Sequence, residues 1–492
     1  MKYDVIVIGG GLGGLECGYI LARAGKSVLV LEQGRQTGGC LQSYRRNGLE
    51  FDTGFHYVGG LEKGQPLYRV FEYLGLDSLP WHRMDETFDR ITVAGREYAL
   101  SQGYDNFALR LAEDFPNEKE ALKQYASLLS ETESRQLDGL NPECQEDDFA
   151  SSLCETNAYQ YLCQSFRDTG LIDVVSGASL KMELRKSSLP LFTFLHGNSG
   201  YVGSSWRLKG SGSLLTGALA EGIRKQGGEV KCRAGAEELI GERHRIVRVR
   251  CTDGNTYEGD VFIGAIHPAL VCRMIKQDGL LKPAYRNRIF RQTNTFGVFT
   301  VSLVLKPDEL RYFNYNRYVY RKADVWSSAS PGEIDRVMIS CRVPEDGAYA
   351  RQIDLLTSFL WEECLPWVQT EIGKRGEDYL LWKERIADAC MVLAETVVPG
   401  LGDAVEQRYI STPLTYAGYL QAPEGSAYGV RKDAGNPLEV LLSPRTPFPN
   451  LYLTGQSLMM HGVQGVTQTA LFTCAEVLGR DWIWRHIVEG KQ

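Results

Sequence analysis

The sequence predicts an α/β protein. One parallel-sheet domain is assembled from separate stretches of the chain, and a second, α+β domain is built from the insertions between them. Three observations predict this. The chain opens on an apolar strand that runs into a glycine turn and then an apolar helix. Strand and turn patterns of the same character return near the middle, at Asp260–Ala265, and near the end, at Pro447–Gly455. The two stretches between them are unlike each other. The first is more charged, with apolar positions at helical spacing, and the second holds long β-like runs.

The opening is the most specific element. Lys2-Tyr3-Asp4-Val5-Ile6-Val7-Ile8 leads into Gly9-Gly10-Gly11-Leu12-Gly13-Gly14, a Gly-x-Gly-x-x-Gly turn at Gly9, Gly11 and Gly14. Gly9 allows the tight turn, Gly11 lets backbone approach a pyrophosphate, and Gly14 lets the helix pack close to the strand. The helix start, with Leu12 and Gly13, offers free N–H groups and a positive dipole end to phosphates. The helix is expected over Leu15–Ala24, with a turn at Gly25. A second strand, Ser27–Leu31, ends in Glu32, eighteen residues after Gly14, where a carboxylate accepts hydrogen bonds from ribose hydroxyls and disfavours a 2′-phosphate. The chain is therefore expected to bind an adenine dinucleotide. The next residues, Gln33-Gly34-Arg35-Gln36-Thr37-Gly38-Gly39-Cys40, choose FAD over NAD. An acid followed by a Gly-Gly pair resembles the large flavoprotein group that includes amine oxidases and phytoene desaturases, in which Gly38 and Gly39 would run beside the pyrophosphate and ribityl chain. Arg35 reads either as a phosphate partner or as a solvated loop residue.

The rest of the chain sets bounds. Its 492 residues, 43% hydrophobic and 23% charged, are ordinary for a globular protein with two or three domains' worth of core. A net charge of −7 and the lack of any nucleic-acid motif argue against a nucleic-acid partner. The 12 cysteines show no Cys-x-x-Cys and no zinc spacing, so no metal site is expected. The chain begins almost on its first strand, and its scattered cysteines suggest reduced thiols, so a cytoplasmic protein is expected. No run approaches the ~20 apolar residues of a membrane span. Helices are expected at Phe107–Asp114, Glu118–Arg135, Leu214–Gln226, Gln352–Glu363, Glu384–Thr396 and Val466–Leu478. Strands are expected at Ile246–Cys251, Asp260–Ala265, Thr295–Lys306 and Tyr312–Tyr320, and within Pro447–Gly455 as a strand into a glycine turn.

Further along, a family resemblance emerges. Phe51-Asp52-Thr53-Gly54-Phe55-His56-Tyr57-Val58-Gly59, Lys209-Gly210-Ser211-Gly212-Ser213-Leu214 through Gly227-Gly228-Glu229-Val230, Thr412-Pro413, Pro423–Gly429 and Gly455–Val466 together resemble the phytoene desaturase, carotenoid isomerase and retinol saturase group. The Phe-Asp-x-Gly-x-His-Tyr segment is nearest the retinol saturase branch. The resemblance spans nearly the whole length and implies a discontinuous Rossmann-like FAD-binding domain of the amine-oxidase type, with an inserted α+β substrate domain. Residues 1–75, 205–285 and 441–492 fall to the first, and 76–204 and 286–440 to the second. It implies FAD contacts at Gly9, Gly11, Leu12, Gly13, Gly14, Glu32, Gln33, Gly38, Gly39, Val230, Gly455, Gly462 and Val463. Two positions depart from the pattern. Many relatives carry an acid where this chain has Ser457, and Cys40 stands where amine oxidases have an arginine.

FAD accepts or gives hydride, and the protein supplies orientation and water exclusion. The resemblance implies oxidoreduction at carbon–carbon bonds of an apolar, isoprenoid-like lipid. Saturation is favoured, with desaturation or redox-assisted cis–trans isomerisation of a polyene as rivals, and amine oxidation or a non-catalytic FAD-bound lipid carrier as further alternatives. Adding hydrogen across a double bond needs a proton donor, for which His56, Tyr57 and His461 are the candidates. Each also has a purely structural reading. Tyr428 is a weaker candidate. His267 reads as a turn residue, and His82, His196, His244 and His486 as structural. No second dinucleotide motif is present, so the electron partner is not visible. An apolar substrate comes from a bilayer, so peripheral membrane contact is expected. Its candidate is Leu189–Leu195 behind Arg185 and Lys186, against a reading of that run as ordinary core.

Overall fold

The computed structural model describes residues 2–144, 148–327, 330–345 and 347–490. Its first sheet has seven strands. Six lie in the order Glu229–Lys231, Val28–Leu31, Lys2–Ile8, Thr256–Gly264, Arg245–Cys251 and Ala236–Glu242, and Leu451–Leu453 pairs with the end of Thr256–Gly264. Lys2–Ile8 lies parallel to Val28–Leu31 (Ile6 opposite Leu29) and to Thr256–Gly264 (Ile6 opposite Phe262). The period of two divides these strands between two cores. Val5, Val7, Val28 and Val30 face the helices, while Ile6, Ile8, Leu29 and Leu31 face a layer that includes Leu239, Val249 and Phe448. Burial on both faces explains why the strands read as unbroken apolar runs. On the helix side, Leu12–Arg23 packs against Ser213–Lys225 and Gly462–Leu478, so three distant parts of the sequence close one layer.

The second sheet also has seven strands, in the order Val405–Ser411, Gly297–Leu305, Gln352–Phe359, Arg336–Cys341, Asn316–Tyr320, Thr87–Val93 and Arg96–Ser101. Every pairing is antiparallel except that of Asn316–Tyr320 with Thr87–Val93. Alternation again sets the layers. Phe299, Val301 and Leu303 face a core shared with the helix Glu377–Glu395, while Val298, Tyr318, Met338 and Leu356 face the helical stretch around 104–203. That second face lines the candidate site.

Most expected elements form within a few residues of their expected ends. The helices run Tyr104–Asp114, Lys119–Ser134, Ser213–Lys225, Glu377–Glu395 and Gly462–Leu478. Two expectations are corrected. Gln352–Glu363 is a strand, Gln352–Phe359, followed by the 3₁₀ turn Trp361–Trp367. As a central strand it is buried on both faces, and with Leu356 and Thr357 out of alternation its pattern does not separate a strand from a buried helix. Leu189–Leu195 is no membrane contact. The helix Leu191–Gly203 buries Phe194 and Leu195 completely, and Leu189, Leu191 and Phe192 are buried with them. Among the described residues no helix is long and apolar enough to cross a membrane, and the cysteines form no disulfide.

One carboxylate is buried inside the helix layer. Glu16 is fully enclosed; Oε1 accepts from Thr467 Oγ1 at 2.6 Å, and Oε2 has no partner among the described residues. Burial pushes this carboxyl from its ordinary 4.5 up to about 8. The folded chain therefore holds this proton more tightly than the unfolded chain, and stability falls as pH rises from about 4.5 towards about 8. Glu16→Gln removes that loss. The variant is expected to melt at the wild-type temperature at pH 5 and above it at pH 8, by the equivalent of roughly 1–3 kcal/mol. Thermal melts of both proteins across that range are the check.

Candidate active site

The glycine turn stands at the carboxyl ends of the parallel strands, where open α/β sheets bind ligands. Gly9 has φ +107°, and a Cβ there would come within 2.7 Å of Ala265 O. A Cβ on Gly14 would lie 2.0 Å from Gly9 O, so only glycine lets the helix sit this close. Gly11 is different. Its missing Cβ faces open space, with Gly39 Cα the nearest atom at 3.9 Å. The helix starts at Leu12 and Gly13 without a side-chain cap, leaving first-turn N–H groups for an anion. Glu32 Oε2 accepts from Gly10 N (2.9 Å) and Oε1 from Gly34 N (2.6 Å), which fixes the carboxylate beside the turn. Gln33 is exposed just beyond it, and Val230 pairs with Val30 one strand over. Gly38 N donates to Gly10 O at 2.8 Å, with Gly38 at φ +132° and Gly39 at φ +54°. Gly455 and Gly462, both at positive φ, have nothing within 4 Å of an added Cβ. Val463 is buried in the first turn of the last long helix, also without a side-chain cap. These residues fit a dinucleotide: open space over bare backbone, two uncapped helix starts and a pre-positioned carboxylate.

Next to this cradle, a cavity with about 1010 Å³ of space, its open mouth included, runs between the second sheet and the Met460–Gln468 segment. It is lined by His56, Tyr57, Lys181, His196, Tyr201 and Tyr318, with Val298, Met338, Leu356 and Met460 among its apolar walls. His56 Nδ1 lies 3.8 Å from Asp354 Oδ2, while Nε2 has no hydrogen-bond partner among the described residues. Asp354 Oδ1 is itself held by the Ser302 hydroxyl at 2.6 Å. Burial lowers the His56 imidazole below its ordinary 6.5, with Asp354 pulling the other way. His461 is held differently. Its ring packs on Tyr428 at 4.6 Å, and Nε2 meets Lys181 O at 2.8 Å, so Nε2 carries a proton and directs its N–H at that carbonyl. Burial brings it down to about 4. Tyr57 donates to Asp89 Oδ2 (3.0 Å) and meets Tyr318 Oη at 2.8 Å. Asp52, in the same motif, accepts from Gly212 N (2.8 Å) and pairs with Arg342 (2.7 Å), tying the motif to the returning segment.

The family model for flavin-containing amine oxidoreductases matches residues 12–363. The chain belongs to that family. It is an FAD-dependent oxidoreductase with the amine-oxidase fold. It is 27% identical to human all-trans-retinol 13,14-reductase across 98% of this chain and 86% of that protein. It is 26% identical to chloroplastic prolycopene isomerase of Daucus carota across 93% of this chain and 76% of that one. Among solved structures, putrescine oxidase bound to putrescine superposes with a TM-score of 0.67 at 16% identity, over 97% of this chain and 99% of that one. An oxidoreductase from Methanosarcina mazei gives 0.64 at 15% identity, over 96% and 99%. At such identities these two show the fold alone.

The structure of this flavoprotein thus brings His56, Tyr57 and His461 to one cavity, together with Tyr428. It also brings there Lys181, Tyr201 and Tyr318, which sequence reasoning passes over, with Asp89 and Asp354 behind Tyr57 and His56, and His196. The sequence reads His196 as structural, yet it lines the cavity and stacks on Phe192 at 4.1 Å. Its position in the otherwise buried run after Leu191 is the one signal that marks it. At Ser457, where an acid is common in the resembling group, the backbone is held instead. Lys432, buried, donates to Ser457 O and Leu458 O, both at 2.7 Å. His267 caps the helix Pro268–Met274 by accepting from Ala269 N.

The two glycines with opposite surroundings give a test of the cradle. Gly14→Ala must displace backbone and is expected to abolish FAD retention and lower the melting temperature. Gly11→Ala has room for its methyl group within the protein and is expected to fold normally while weakening FAD binding at least about tenfold, a change of ~1.4 kcal/mol. Flavin content after gel filtration and thermal melting of the apoproteins separate the two effects.

Proposed function

We propose that this flavoprotein reduces a carbon–carbon double bond of an apolar, isoprenoid-like lipid. The observation that carries this reading is the similarity to all-trans-retinol 13,14-reductase along nearly the whole chain, from the glycine turn to the last helix. The cavity supports it: Val298, Met338, Leu356 and Met460 give it apolar walls suited to a long hydrocarbon chain. Bound FAD would supply the hydride. The protein's share is to enclose the chain, exclude water and deliver one proton.

His56 is the proposed proton carrier. Its Nε2 has no hydrogen-bond partner among the described residues, and the Asp354 carboxylate behind Nδ1 favours the imidazolium. His461 is proposed as a positioning residue, because its N–H is committed to Lys181 O. Tyr57 likewise spends its hydroxyl on Asp89. A second reading, redox-assisted cis–trans isomerisation of a polyene, is supported by the similarity to prolycopene isomerase. Amine oxidation has less support, since the half-buried Cys40 follows the Gly-Gly pair where amine oxidases carry an arginine.

Anaerobic absorbance of the yellow protein tests the reading. Reduction of the flavin by a nicotinamide or dithionite, followed by its re-oxidation with a conjugated polyene and recovery of the saturated product, is the expected result. A change of polyene geometry without net oxidation of the flavin would favour isomerisation. Peroxide release with amines and no response to polyenes would overturn the lipid reading. His56→Gln is expected to leave flavin reduction unchanged and to slow re-oxidation by the polyene about 100-fold or more, the usual size of a general-acid contribution. In the wild type, burial keeps the acid form of His56 a minority at pH 7. The polyene step should therefore accelerate as pH falls below 6.5, and stopped-flow traces in the His56→Gln variant should lack that rise.

A further inference from the structure

Lys181 is the cavity's cation, and the activity proposed above leaves it unused. It ends the 3₁₀ turn Ser179–Lys181, and its carbonyl is fixed by His461. Its ammonium stands over the Tyr201 ring at 3.9 Å and 5.7 Å from the centre of the Tyr57 ring, so two aromatic faces hold it in place. An ammonium has three N–H donors. Its one hydrogen bond among the described residues is a long one, 3.5 Å to Tyr57 Oη. That hydroxyl is already engaged with Asp89 and Tyr318. Asp89 also accepts from Asn316 Nδ2 at 2.9 Å and is not in direct contact with Lys181; its charge favours the ammonium from across the Tyr57 hydroxyl. No other carboxylate among the described residues is close enough to pair with Lys181 Nζ. Burial brings this lysine down to about 8, which still leaves it a cation at pH 7.

An enclosed ammonium that reaches its nearest carboxylate only through the Tyr57 hydroxyl is costly, and a neutral hydrocarbon filling the cavity would leave it so. A carboxylate reaching the same wall would give the ammonium a direct partner and accept its unspent N–H groups in charge-assisted hydrogen bonds. We propose that Lys181, framed by Tyr57 and Tyr201, anchors a carboxylate at the polar end of the lipid, so that the preferred ligand is an isoprenoid-like acid rather than an unsubstituted hydrocarbon. This rests on the reading of the cavity as a lipid site.

The test titrates the FAD-loaded protein with a conjugated polyene carboxylic acid, its methyl ester and the hydrocarbon of the same chain length. Binding is followed by perturbation of the flavin absorbance and by quenching of intrinsic fluorescence. The acid is expected to bind at least about tenfold more tightly than the other two, the lower end of what a hydrogen-bonded charge contributes. Lys181→Met should erase that preference without loss of FAD, and Lys181→Arg should keep most of it. Equal binding of all three ligands to the wild type would overturn the anchor and leave the lipid site standing. Failure of all three to bind would overturn both. Because the wild-type comparison is decisive alone, poor folding of Lys181→Met leaves the test intact.

Discussion

The close seating of the first helix on the first strand governs the rest of the molecule. A Cβ at Gly14 would stand 2.0 Å from Gly9 O, so the approach exists only because that position has no side chain. From it follows the place of Leu12–Arg23, against which Ser213–Lys225 and Gly462–Leu478 pack. The start of the last helix is thereby brought to the rim of the glycine turn: a Cβ on Gly13 would lie 3.0 Å from Val466 and 3.5 Å from Gly455. A cradle made from both ends of a 492-residue chain depends on this one contact distance.

The second sheet does a different task. Its central strands are buried on both faces, one against the helix Glu377–Glu395 and the other against the helices around 104–203 and the cavity. A side chain on the cavity face is then placed by the pleat as much as by its own packing. Val298, Tyr318, Met338 and Leu356 reach the cavity from four neighbouring strands in this way. Asp89 and Asp354 likewise project from strands and hold the hydroxyl of Tyr57 and the ring of His56 from behind. The polar groups of the site are thus fixed from a rigid sheet, whereas the dinucleotide cradle is backbone in turns.

This difference explains what the sequence discloses. The cradle is local: Gly9 to Gly14, Glu32, and Gly38 with Gly39 lie within forty residues of the start, and each is required by a turn, a close approach or a charge. Such requirements leave a residue type at a fixed spacing, and the fold class is legible from them. The cavity is not local. Asp89 meets Tyr57 across 32 positions, Lys181 meets Tyr57 across 124, and Asn316 meets Asp89 across 227. No spacing rule links them, because the link is a strand order that includes a parallel pair, Thr87–Val93 beside Asn316–Tyr320. The strand Gln352–Phe359 is hidden for another reason: Gln352, Asp354 and Ser358 alternate with Ile353, Leu355 and Phe359, but Leu356 and Thr357 break the period in mid-strand. His56 and His461 are legible because they stand beside the cradle's own motifs. Lys181 stands in a short turn with nothing around it in sequence to mark it.

The buried charges point to one more consequence of this architecture. Burial pushes the carboxyls of Glu16, Asp52, Asp89 and Glu133 up to about 7 or 8 and brings His196 and His461 down to about 4. In each case the folded chain favours the neutral form, because desolvation outweighs the partners present. The acids therefore weaken the fold as pH rises, and the histidines weaken it as pH falls. The opposed slopes overlap between about 4.5 and 6.5, where they partly cancel; above that window the acids act alone and stability falls. Within that window the cavity lining keeps one cationic side chain, Lys181, among neutral tyrosines and predominantly neutral imidazoles. A single positive charge on an otherwise neutral, largely apolar wall selects by the sign of what is offered to it, and it does so without a second charged residue to fix orientation. The length and shape of the chain must do that, which is the role left to the apolar faces of the second sheet.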